Sequence, residues 1–106
     1  MTVYVDHMRR PFGRLRLSHM IADTPDELHA MAKRIGIDRQ HFQDWHRASF
    51  PHYDVCGAAR LAAIHYGAVA VDRRGLAEAM RRARPTWLET AKLADASNVV
   101  PFRARR

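Results

Sequence analysis

Alternation of apolar and polar positions opens the chain. Thr2-Val3-Tyr4-Val5 is rich in β-formers and predicts a strand that ends at Asp6. Residues 7–14 form a basic connector whose Pro11 and Gly13 mark a turn or loop. Alternation returns at Leu15, Leu17 and His19, which share one face of a second predicted strand over 15–21. The period then lengthens to that of a helix. Leu28, Met31, Ala32 and Ile35 form one stripe behind the capping box Thr24-Pro25-Asp26-Glu27, and Gly36 supplies the stop. Met31 and Ile35 are therefore expected in the core.

Regular patterning lapses from Ile37 to Pro51. Asp38 reads as the cap of a short helical turn. His41, His46, Phe42 and Trp45 predict a structured loop packed over the core, not a linker. The chain is extended again at His52-Tyr53-Asp54 and runs into an Ala-rich helix over 57–64, closed by Gly67-Ala68. Ala68-Val69-Ala70-Val71 reads as a short buried strand. Asp72 caps a further helix with Leu76, Ala79, Met80 and Ala83 on one face, and Pro85 is expected to end it. Thr86-Trp87-Leu88-Glu89 offers another capping box, while residues 96–106 show no periodicity and end in arginines.

These elements predict an α/β fold: a small three- to four-stranded sheet packed with about three helices in a single domain. Residues 1–85 make the compact unit, and 86–106 are expected to be weakly helical and then a disordered basic tail. The strand–helix–strand run over 53–71 suggests a parallel pairing of its two strands.

At 106 residues the chain fits one domain with a modest core. No apolar run approaches a membrane span, and Asp6 interrupts the N-terminus too early for a signal-peptide core. The lone Cys56 excludes an internal disulfide, so a cytoplasmic location is expected. Residues 54–106 hold ten of the eighteen Lys and Arg but only five of the eleven acids, which concentrates the net charge of +7 in that half. Such a surplus suits phosphate ligands or nucleic acid, and equally an Arg-rich proteome.

The candidate chemistry centres on His52 and Asp54. Two residues apart on an extended segment, they share a face at the start of a helix. They suit metal ligation, or a histidine held in one tautomer by a carboxylate. Read structurally, Asp54 is a helix cap and His52 a loop hydrogen-bonder. His19 joins them in a two-His, one-carboxylate set for a divalent metal if its strand runs parallel to the His52 segment; an antiparallel strand is expected to carry it to the far edge. In the catalytic version His19, His52 and Asp54 hold the metal or act as acid and base. Asp6 and Asp23, at strand ends, are further candidates. Arg60, a turn into the helix, is placed to neutralise a phosphate. His29, on a helix flank near Asp26, reaches the site only if that flank faces the His52 loop. Cys56 at a helix start suits packing better than reactivity.

Val3-Tyr4-Val5-Asp6, Ser18-His19-Met20 with Ala22-Asp23, Glu27-Leu28-His29, Ala32 with Ile35-Gly36, Phe42-Gln43, His52-Tyr53-Asp54, and Arg60 with Gly67-Ala68 occur in that order. Over roughly residues 1–75 the sequence resembles the small bacterial and phage domain family of unknown function numbered four thousand and thirty-one. That resemblance implies positions and no reaction. Family members tend to carry Thr-Pro or Ser at the start of the central helix, where this chain has Cys56-Gly57-Ala58; the departure leaves Asp54 the stronger cap candidate.

Two function classes stay open. In one, a His/Asp/Arg pocket binds a phosphate-bearing ligand, a nucleotide or nucleic acid, and hydrolyses it with a divalent metal. In the other, a non-catalytic accessory module binds nucleic acid or a protein partner through Arg73, Arg74, Arg81, Arg82, Arg103, Arg105 and Arg106 on its last helix and tail. Converging histidines favour the first, and scattered histidines with a continuous Arg face the second.

Overall fold

The computed structural model describes residues 2–7, 10–12 and 15–104, with side chains for 2–7 and 16–94. Among the described residues, five strands and three α-helices follow in the order β1 (Val3–Asp6), β2 (Arg10–Phe12), β3 (Leu15–Ala22), α1 (Pro25–Arg34), a 3-10 turn (Arg39–His41), β4 (Tyr53–Cys56), α2 (Gly57–His65), β5 (Val69–Val71) and α3 (Arg73–Ala104). The fold is α/β, as the patterning predicts.

The sheet is built around β3. Met20 pairs with Val5 on one side and with Tyr53 on the other, so β1 and β4 flank β3, both antiparallel to it. β5 adds to β1 in parallel, with Tyr4 opposite Val69. β2 pairs with the first half of β3, Arg10 opposite Leu17. Pro11 thus lies in a strand and not in the turn expected of it; β2 stands at the end of the strand order, where a missing N–H is tolerated.

The expected parallel pairing of β4 with β5 is corrected, because β3 and β1 stand between them. α2 carries the chain across the sheet instead of between neighbours. β5 is also an outer strand: Val69 is 46% exposed, and the buried residue is Ala68 just before it.

Local signals act where they were expected. The Thr24 hydroxyl accepts the Glu27 N–H and donates to its carboxylate. Asp38 caps the 3-10 turn by accepting the Gln40 N–H, and Asp72 opens α3 by accepting the Gly75 N–H. Gly36 stops α1 at φ +84, a conformation suited to glycine. Leu28, Met31 and Ala32 of α1 join Val5, Met20, Ile21, Tyr53 and Val55 in the core, while Ile35 becomes the helix cap and is only partly buried.

The stop at Pro85 is also corrected, since α3 runs from Arg73 through it to Ala104. Burial explains this. Leu76, Ala79, Ala83 and Trp87 are all buried, so one helical stripe continues across the proline. Trp87 donates its indole N–H to the Ala22 carbonyl at 2.9 Å, stacks near Phe42 and meets Phe50 edge-on. The tail expectation meets a helical backbone as far as Ala104; the Arg103 side chain and all of Arg105 and Arg106 lie outside the described residues. Among the described residues no helix is long and apolar enough to cross a membrane.

Candidate metal centre

Register delivers the site. β3 and β4 place His19 directly opposite Asp54, on the same face of the sheet. The strands are antiparallel, so the expectation that this arrangement separates His19 from the His52 segment is corrected. His19 lies far enough inside β3 that its cross-strand partner is the middle of β4. His52 precedes β4, where its backbone exchanges two hydrogen bonds with Gln43 at 2.9 and 3.0 Å. That bridge fixes the loop end and puts His52 beside Asp54 on one face.

Three donor atoms converge there. His52 Nε2 is 3.3 Å and His19 Nε2 3.8 Å from Asp54 Oδ1. Together the three residues offer ligand atoms that all lie within 4.8 Å of one another. The rings of His19 and His52 meet edge-on with centroids 4.9 Å apart. A tetrahedral ion with metal–nitrogen bonds of about 2.0–2.1 Å holds its ligand atoms about 3.3 Å apart, so closing on an ion takes small side-chain movements.

Each donor is oriented by a partner on its far side. His19 Nδ1 lies 3.0 Å from Asp6 Oδ2, and Asp6 Oδ1 accepts the His19 backbone N–H at 2.9 Å. His52 Nδ1 lies 2.8 Å from the Phe50 carbonyl, which can only accept, so that nitrogen carries the hydrogen. Asp54 Oδ2 accepts from Gln43 Nε2 at 2.7 Å. In the neutral rings this leaves Nε2 as the lone pair on both histidines, each facing the carboxylate. Asp54 Oδ1 is itself buried, with His52 Nε2 3.3 Å away. Burial pushes the Asp54 carboxyl up, but the hydrogen bonds of His52 and Gln43 and the charges that His52 and His19 carry when protonated outweigh it and hold the group below its ordinary value.

Neither carboxylate expected at the strand ends belongs to the donor set. Asp6, fully buried, orients His19 from behind. Asp23 accepts the Thr2 N–H at the far end of β1. Asp54 does not cap α2, whose N-cap is Cys56 without a side-chain bond. A family model described as "Protein of unknown function (DUF4031)" matches residues 3–83. The chain belongs to this family. The matched span contains Asp6, His19, Gln43, His52, Asp54 and Arg60, and Trp87 lies beyond it. No curated protein and no solved structure matches the chain.

The remaining candidates sit elsewhere. Arg60 donates through Nε to the Asp6 carbonyl at 2.9 Å and lies 2.9 Å from His7 Nδ1, so it braces the strand that carries Asp6. His29 bonds to the Tyr53 hydroxyl at 2.8 Å, on the sheet face opposite Asp54, with Phe42 packed on its ring. Arg73, Arg74, Arg81 and Arg82 are exposed on α3, the last two within 4.0 Å of Glu78. Gln43 is the residue that sequence reasoning missed: it was noted in the family motif, but its role appears only through the bridge to His52. A separate cavity of about 410 Å³, lined by Glu27, Arg34, Tyr66 and Val69 among others, touches none of the donors.

His29 gives a pH-dependence with a definite sign. Burial and then the charge of Arg39 hold its imidazole below the ordinary 6.5, against weaker pulls from Asp26 and Asp44. The folded state therefore binds this proton less readily than the unfolded state, and stability falls as pH drops below about 6.5. Replacing His29 with Gln will flatten that part of a pH series of denaturant melts. An unchanged slope would assign the loss to other groups.

Proposed function

We propose that the domain holds one divalent first-row metal ion, Zn²⁺ before others, between His19 Nε2, His52 Nε2 and Asp54 Oδ1, and uses it in hydrolysis. The observation that supports this is the set of far-side partners. Asp6, the Phe50 carbonyl and Gln43 each engage the other polar atom of a donor, the pattern that orients ligands in metal sites. Two histidines and one carboxylate leave coordination positions for water and substrate, and a bound Zn²⁺ brings the pKa of its water to about 7.

A phosphate-bearing substrate, such as a nucleotide or nucleic acid, is the class suggested by the chain's charge. It has less support from the site, because Arg60 bonds to the Asp6 carbonyl and lies against His7, and bonds to none of the three donors. The accessory-module alternative rests on the exposed arginines of α3, and two of these already share Glu78.

Metal analysis of protein purified without a His tag tests the proposal. One equivalent of Zn²⁺ or Co²⁺ per chain is expected, with at least a hundredfold loss of affinity in His52→Ala and in Asp54→Ala. Undiminished binding in both variants, or none in the parent, would replace the ion with a proton shared by His52 and Asp54.

A further inference from the structure

Asp54 also belongs to the wall of a cavity of about 560 Å³ between β4, α2 and the segment that follows α1. A cavity of this size suits a small molecule. Leu17, Ile37, Val55 and Ala59 supply apolar walls, and Gln43 and His41 add polar edges. The charges in this lining are unusual for so basic a protein. It holds two carboxylates, Asp38 and Asp54, and no Lys or Arg among the described residues. A divalent ion at the donor set cancels these two charges and leaves no surplus to attract an anion.

We propose that this cavity receives the neutral, apolar part of the substrate, whose oxygen donor meets the metal, and that it discriminates against anionic groups such as phosphate. The inference rests on the metal reading above and narrows its substrate class to neutral carbonyl compounds with an apolar substituent. Apolar surface gains by leaving water for such walls, whereas an anion loses its hydration there and finds no Lys or Arg among the described lining residues to replace it.

The test uses full-length protein loaded with Co²⁺, whose visible spectrum reports ligands entering its coordination sphere. Acetohydroxamate, benzohydroxamate and 4-carboxybenzohydroxamate share one metal-binding group and differ in the substituent. Benzohydroxamate should bind at least tenfold tighter than acetohydroxamate, and adding the carboxylate should cost at least tenfold. Ala59→Phe, which fills the cavity from α2, should erase the gain from the ring and leave the Co²⁺ spectrum unchanged. Asp38→Asn keeps a capping side chain and should recover several-fold of the binding lost by the anionic probe. Equal affinities for the three probes with Co²⁺ bound would overturn the cavity proposal and leave the metal reading standing. Failure to bind Co²⁺ would overturn both. Tighter binding of the anionic probe would return the site to phosphate-like ligands.

Discussion

Trp87→Ala will destabilise the domain by about 3–5 kcal/mol, the range for deleting a large buried aromatic side chain. The residue is 3% exposed, and its ring lies 6.3 Å from that of Phe42 and 5.9 Å from that of Phe50. Its loss also takes the indole donor away from the Ala22 carbonyl, at the end of the strand that carries His19. Trp87→Phe separates the two contributions by keeping an aromatic ring and removing the N–H. It should cost less than the alanine, about 1–3 kcal/mol for a buried carbonyl losing its partner. Urea melts of the two variants decide the matter. If Trp87→Ala matches the parent, the helix beyond Pro85 does not belong to the core. The same burial explains why α3 survives its proline. A proline inside a helix costs about 3 kcal/mol, and docking Trp87 two residues further on offsets a penalty of that size.

On the proposed metal reading, Asp6→Asn will weaken binding of the ion by about 10–100-fold, the usual effect of removing the outer partner of a ligating histidine. Asparagine has nearly the same shape and still offers an oxygen to the His19 backbone N–H. Its NH₂ group then faces Nδ1, which favours the tautomer with hydrogen on Nε2 and spoils that atom as a ligand. The readout is Zn²⁺ or Co²⁺ affinity measured on folded protein, which a purely structural role leaves unmoved. A change below twofold, whatever happens to the melting temperature, would reduce Asp6 to a structural carboxylate.

Features carried by short-range chemistry were legible in the sequence. Thr24, Asp38 and Asp72 are caps because each side chain meets an N–H two or three residues away, and no distant residue alters that. His52 and Asp54 share a face because an extended chain alternates. Strand order was not legible, since α2 followed by β5 looks the same whether β5 returns beside β4 or crosses to β1. The convergence of His19 with Asp54 was foreseen on the wrong strand direction; only the register of β3 with β4 supplies the reason for it. Pro85 misled because a local rule met a distant contact, the carbonyl of Ala22. Even so, the spacing from Ala83 to Trp87 continues the apolar stripe and could have signalled it.

The first strand has a place in the sheet that depends on a much later part of the chain. Tyr4 pairs with Ile21 on one side and with Val69 on the other, so one neighbour is made soon after it and the second only after most of the chain. During synthesis the contact of Asp6 with His19 can therefore form while Asp54 is still unmade. The half of the site that orients a ligand precedes the half that completes it, and β1 waits with one edge open until β5 arrives. Closing so long a loop slows folding more than it lowers final stability.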